Sequence, residues 1–212
     1  MLVVETFKFS PFQENTYLIW DDATNIGAVI DPGCSTLLEQ HALVEAIDIN
    51  HVKVKYLFNT HMHIDHIMGN KFILDNYDVT FIYPRRDEHL IPLMKDEATK
   101  YNMPFDDFRN ADIYFEDLTE IELGEQTCKL LYTPGHTPGE YCLYFPDAKA
   151  CFVGDVLFYE TIGRTDLWGG DLDVLINSIE KQLFTLPDET VIYSGHGETT
   201  TIEHEKDFNP FI

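Results

Sequence analysis

The chain has 212 residues, 44% of them hydrophobic, and its 14 Lys+Arg set against 37 Asp+Glu give a formal net charge of -23. That length builds a substantial core, expected as one domain over residues 1–212. The charge excludes a nucleic-acid backbone as partner, because the longest basic run is only Arg85-Arg86. No stretch approaches a membrane span, and Met1-Leu-Val-Val-Glu5 lacks the basic flank and apolar core of a secretory signal. Cys34, Cys128, Cys142 and Cys151 show no CxxC spacing, so reduced thiols and a cytoplasmic location are expected. A hairpin at Pro146–Lys149 could bring Cys142 and Cys151 face to face, but a disulfide there is not expected.

In chain order, Leu2–Phe9, Asn15–Trp20 and Ile26–Ile30 read as three strands of an antiparallel meander closed by Asp31-Pro-Gly33. Ser35 is the expected cap of a helix with apolar residues at Leu37, Leu38, Ala42, Leu43, Ala46 and Ile47. Lys53–Phe58 is a short buried strand, His66 opens a helix that runs on to Tyr77, and Asp78–Tyr83 is again a strand. Pro84 to Tyr101 reads as irregular helix broken at Pro92, with a loop at Asn102–Asp107 where any lid would begin. Ile113–Phe115, Glu120–Leu123, Thr127–Tyr132, Tyr141–Phe145, Ala150–Val153 and Thr190–Tyr193 are strands, and Asp171 caps a helix reaching Phe184. Strand-rich halves separated by helices give an α/β (α+β) chain of two packed sheets with helices outside.

Asn59-Thr-His-Met-His-Ile-Asp-His-Ile-Met-Gly69 places three histidines and an aspartate within six positions, His61, His63, Asp65 and His66. On a helix, at about 100° per residue, His61 and His63 would face nearly opposite ways, so their convergence requires extended backbone, where alternate residues share a face. The end of the Lys53–Phe58 strand provides it. Such a cluster without a cation would desolvate or protonate several groups side by side, whereas a divalent ion favours neutral imidazole and ionised carboxylate. Three further strand ends bring candidate ligands beside glycine: Thr133-Pro-Gly-His136-Thr-Pro-Gly139, Phe152-Val-Gly-Asp155 and Ser194-Gly-His196-Gly197.

Together with the upstream HxHxDH, this set resembles the metallo-β-lactamase superfamily along essentially the whole chain. The resemblance implies a four-layer αββα sandwich with two divalent metal ions on one sheet edge. His61, His63 and His136 would hold one ion, Asp65, His66 and His196 the second, and Asp155 would bridge them. The β-lactamases proper usually carry cysteine or serine in place of that aspartate, so antibiotic hydrolysis is not expected. Val153–Phe158, Ile162-Gly-Arg-Thr-Asp166 and the tail from Gly195 to Phe211 look like the short glyoxalase II-like hydrolases, and the Gly-Arg-Thr-Asp segment like the persulfide dioxygenases as well. Glu140 and Glu198 depart from those families. Both are expected to add acidity at the mouth of the site and to weaken binding of anionic glutathione thioesters, and no helical domain like the one that carries glutathione contacts in longer relatives is expected after the last ligand loop.

Mixed His/Asp ligation suits zinc, with iron or manganese as alternatives. The leading expectation is a metallo-hydrolase of small-molecule thioesters such as S-acyl glutathione, using water made acidic at about neutral pH by the metals, with Asp65 and Asp155 as catalytic residues. A mononuclear iron persulfide dioxygenase is the alternative, and a non-enzymatic metal-binding module a third reading. Arg164 and Asp166 are an ion pair, either stiffening the loop after Asp155 or lying free on the surface. Phe158, Tyr159 and Trp168 are candidates for a pocket wall or for core. Sequence sets no oligomeric state.

Overall fold

The computed structural model describes residues 1–212. The meander forms as expected: β1 (Leu2–Phe9), β2 (Glu14–Asp21) and β3 (Ile26–Ile30) pair antiparallel, with Leu2 opposite Asp21 and Tyr17 opposite Ile30. From β3 the chain crosses through α1 (Leu37–Ile49) to β4 (Lys53–Phe58), which lies parallel to β3, as a connection of that length allows. The short helices α2 (Ile64–Ile67) and α3 (Asn70–Asn76) lead to β5 (Thr80–Tyr83), and α4 (Ile91–Lys100) leads to β6 (Ile113–Tyr114). These strands make one six-stranded sheet in the order β1-β2-β3-β4-β5-β6.

The second half holds β7 (Glu120–Leu123), β8 (Gln126–Tyr132), β9 (Tyr141–Phe145) and β10 (Ala150–Gly154), then a small hairpin of β11 (Leu157–Phe158) and β12 (Thr161–Ile162). After α5 (Leu172–Ser178) come β13 (Val191–Ser194), β14 (Thr200–Thr201) and α6 (Ile202–Phe208). The second sheet runs β14-β13-β10-β9-β8-β7, with β10 and β13 parallel.

The two-residue alternation of a strand sorts the side chains into layers. On β2, Leu18 and Trp20 pack with Leu43, Ile47, Ile67 and Met94 of the helices, while Tyr17 and Ile19 face Leu143, Phe145 and Phe152 of the other sheet. The outer face of the second sheet carries Tyr144, Cys151 and Val153 against Leu175, Ile179 and Ile202. The result is the expected four-layer αββα sandwich. All four cysteines are buried and unpaired, and no helix is long and apolar enough to cross a membrane.

Several local expectations are corrected. Thr36, not Ser35, caps α1, through a reciprocal capping box with Glu39. Leu37 and Leu38 face solvent at 85% and 81% exposure, so the buried stripe is only Leu43, Ala46 and Ile47. His66 sits inside α2 rather than opening a longer helix, because the chain breaks at Gly69, where a Cβ would lie 2.4 Å from Cys34 Sγ. Pro92 starts α4 instead of breaking it, occupying a first-turn position where its missing N–H costs nothing. The helix after Asp171 loosens into a π turn at Ile179–Leu183. The β11–β12 hairpin and α6 were not expected.

Candidate metal centre

Parallel pairing puts the carboxyl ends of β3 and β4, and of β10 and β13, along one edge of the sandwich. Backbone bonds stitch the two sheets there: the Asn15 N–H donates to the Gly195 carbonyl at 2.7 Å, and the Tyr141 N–H to the Thr60 carbonyl at 3.0 Å. The Tyr17 hydroxyl adds a bond of 2.6 Å to the Ser194 carbonyl. All seven residues singled out in the sequence meet on this seam. His61, His63, Asp65 and His66 come from the segment after β4, His136 from the β8–β9 loop, Asp155 from the end of β10 and His196 from the end of β13.

Two triads face one another. Donor atoms of His61, His63 and His136 lie within 4.8 Å of one another, as do those of Asp65, His66 and His196. The Asp155 carboxylate stands between them, 3.4 Å from His66 Nε2 through Oδ1 and, through Oδ2, 3.6 Å from His136 Nε2 and 3.7 Å from His196 Nε2. Close packing requires glycine beside it: a Cβ on Gly195 would fall 2.2 Å from Asp155 Oδ1.

The partners behind the rings fix which nitrogen carries the proton. His136 Nδ1 lies 2.7 Å from the Arg164 carbonyl, which can only accept, so Nδ1 is the donor and the Nε2 lone pair faces the site. Thr60 Oγ1 donates its one proton to Asp31 Oδ2 at 2.7 Å, and at 3.0 Å it therefore accepts from His61 Nδ1. His66 Nδ1 donates to the same Asp31 oxygen at 3.1 Å. Asp31 holds these bonds from a left-handed backbone, φ 49°, a strained state that the Thr60 N–H at 2.8 Å helps to secure.

Three inward atoms then lack partners: His61 Nε2, His66 Nε2 and Asp155 Oδ1 are sealed from solvent with no hydrogen bond. His63 turns its Nδ1 inward, 2.8 Å from His136 Nε2. Orphaned buried groups of this kind are rare because each carries a desolvation cost, and a cation held among them removes it. The residues present therefore fit divalent metal.

The two triads differ electrically. Burial, reinforced by the neighbouring His66 and His63, holds His61 well below the usual imidazole range, and burial with His136 pushes His63 down to about 3. Burial likewise lowers His136. At His66 burial acts the same way, but the charges of Asp155 and Asp65 overcome it and raise the ring well above its ordinary value. Burial is also outweighed at Asp155, which His66 holds far down, and at Asp65, lowered by His66 and His196. Burial thus favours neutral imidazole across one triad, while carboxylate charge dominates the other.

The centre forms the floor of a cavity of about 680 Å³, whose lining includes His63, Asp65, His136, Asp155 and His196. Phe158, Tyr159 and Trp168 line it too, and Trp168 also packs against the core of the first sheet and its helices. Arg164 and Asp166 make two parallel N–H···O bonds at 2.7 and 2.8 Å in solvent. The Arg164 carbonyl, rather than its side chain, is what touches the ligand set.

Glu140 requires the main correction. It is not at the mouth but fully buried behind the centre, where Oε1 accepts the Asp155 N–H at 2.8 Å and lies 3.4 Å from His61 Nδ1. Burial, then the charge of Asp155, raises its carboxyl well above the ordinary range. Glu198, by contrast, does line the cavity. Sequence reasoning also missed Asp31, read only as a turn residue, and Glu14, which is fully buried, accepts from Thr16 Oγ1 at 2.8 Å and bridges to His196 through the backbone. Their one visible signal was an acidic residue at a strand end next to the ligand strands.

Comparison with known proteins gives three findings. Residues 9–196 match the family model of the metallo-beta-lactamase superfamily. The chain is 36% identical over 211 residues to hydroxyacylglutathione hydrolase GloC of Haemophilus influenzae, covering 99% of this chain and 97% of that one, and 28% identical over 199 residues to the mitochondrial persulfide dioxygenase ETHE1 of Homo sapiens, covering 92% and 70%. Among solved structures it superposes on the BLEG-1 B3 metallo-beta-lactamase with a TM-score of 0.90 at 30% identity, over 99% of both chains.

Proposed function

The chain belongs to the metallo-beta-lactamase superfamily, and from that premise we propose that it is a dinuclear metal-dependent hydrolase of small-molecule thioesters, built as a single domain over residues 1–212 and working in the cytoplasm. The observation that carries the reading is the convergence of seven donor side chains on one seam, five of them lining one cavity, with buried atoms of His61, His66 and Asp155 turned inward and unpartnered. The similarity to a hydroxyacylglutathione hydrolase supports the thioester class.

His61, His63 and His136 would hold one ion and Asp65, His66 and His196 the other, with Asp155 available to both sets. Zinc is the ion this donor set suits, with iron or manganese as alternatives. Divalent ions bound here supply Lewis acidity toward a carbonyl and a water that ionises near neutral pH. The protein's own groups do the positioning. Asp31, Thr60 and the Arg164 carbonyl take the Nδ1 protons of His66, His61 and His136, so that the Nε2 atoms point inward without rotating. The Asp65 carboxylate, exposed to the cavity floor, orients the attacking water by accepting its hydrogen. The departing thiolate has a low pKa and needs little protonation.

The similarity to a persulfide dioxygenase favours a second reading, an iron-dependent oxygenase. Oxygen separates the two. Zinc- or manganese-loaded protein is expected to cleave a thioester as fast under nitrogen as in air, releasing one thiol per turnover. Oxygen uptake with glutathione persulfide on ferrous loading, and no thioester cleavage under nitrogen with any metal, would reverse the assignment.

A further inference from the structure

Above the metal floor the cavity wall has a chemistry of its own. Phe12, from the β1–β2 turn, meets Tyr101 at the end of α4 edge to face, with ring centroids 6.2 Å apart. Met94, Leu167 and Trp168 continue the apolar wall, and Trp168 stands 6.1 Å from the His63 ring. Two cations reach this cavity, and both are committed. Lys100 is paired with Glu97 at 3.1 Å, and Arg164 is paired with Asp166 through two bonds. Glu198 lines the cavity as well, with no cationic partner. The formal charge of -23 adds a field that repels anions before they reach the mouth.

We infer that the cavity takes an uncharged thioester with an apolar or aromatic acyl group, and discriminates against anionic thiol carriers such as glutathione. The inference rests on the hydrolase reading and names its substrate class. A glutathione thioester brings two carboxylates and one ammonium to a wall whose cations are already neutralised. Seating it means competing with Glu97 or Asp166 for a cation, or leaving a carboxylate beside Glu198. An apolar acyl group instead removes the exposed faces of Phe12, Leu167 and Trp168 from water. The volume, about 680 Å³, is in the range that holds a small-molecule ligand whole, and is far larger than a two- or three-carbon acyl group needs.

The test uses the full chain loaded with zinc and four substrates, the acetyl and phenylacetyl thioesters of N-acetylcysteamine and of glutathione. In parallel, calorimetry measures binding of the uncleavable S-phenethyl thioethers of the same two thiols. The expected result is a kcat/KM about tenfold or more higher for the neutral carrier, and about tenfold higher for phenylacetyl than acetyl on that carrier. The thioethers should show the same carrier order in Kd. Trp168→Ala is expected to shrink the acyl preference. Glu198→Lys should raise kcat/KM for the glutathione thioester, a gain that fades with added salt. Equal or better cleavage and binding of the glutathione compounds overturns the inference while leaving the hydrolase reading intact. If no thioester is cleaved the hydrolase reading fails, and the thioether affinities still decide the carrier preference: a tighter neutral compound supports it and a tighter glutathione compound ends it.

Discussion

Glu140 shows how one side chain can serve a centre it never faces. Its Oε1 holds the Asp155 main chain and approaches His61 Nδ1, so it braces from behind both a member of one triad and the carboxylate between the two. Glu140→Ala is expected to weaken metal binding about 10- to 100-fold in chelator competition, whereas Glu140→Gln, which keeps an acceptor for the Asp155 N–H, recovers most of it. Wild-type affinity in the alanine variant would show the brace to be idle. The inward role was hidden in the sequence because Glu140 follows the loop glycine Gly139, and a charged residue next to a turn reads as solvent-facing. What reverses that reading is tertiary: β9 begins at the next residue, and the Asp155 backbone needs an acceptor where no water reaches. The seven ligand positions were legible because their type and spacing constrain chemistry whatever surrounds them. Asp31 and Glu14 were not, since a single buried acid carries no local pattern.

At the scale of elements, long alternating runs declared themselves and two-residue strands did not. β1, β2 and β9 have enough residues to display a period, whereas β11 and β12 have two each and turn at Glu160, a non-glycine residue at φ 55°. Glu205 explains that turn, its carboxylate accepting the Glu160 N–H and the Thr200 hydroxyl, but the contact spans 45 residues. A second carboxylate, Asp21, fastens the end of β2 to the β7–β8 turn. Burial opposes its ionisation, yet the Glu125 N–H and Thr24 hydroxyl hold its carboxyl at about 2. Because this lies below the unfolded value of about 3.9, the stabilisation is complete above pH 4 and is lost as pH falls toward 2. Asp21→Asn is expected to cost about 1 kcal/mol at pH 7 in urea unfolding, once screening by nearby water is allowed for. The gap from wild type should close between pH 4 and 2, and a gap constant with pH would remove the carboxylate's charge from the account.

For the whole molecule, the centre lies where the two sheets meet, with His61, His63, Asp65 and His66 after the first sheet's β4 and His136, Asp155 and His196 on the second. Elemental analysis is expected to find about two transition-metal ions per chain, and Asp155→Ala to lose most of both. Saturation at a thousandfold over Kd stabilises by about 4 kcal/mol, so chelation should lower Tm by roughly 8–16 °C for a chain of this size. A single ion in metal-replete buffer would sink the dinuclear reading. The same division of ligands sets an order in time as the chain is made. The first donor set closes only when His136 has been synthesised and the second only with His196, 60 residues later (196 − 136). At about 5–20 residues per second that interval is roughly 3–12 s, during which a nascent chain carries every side chain of one triad and only two of the other. Translation speed therefore enters the question of which ion is captured, and where.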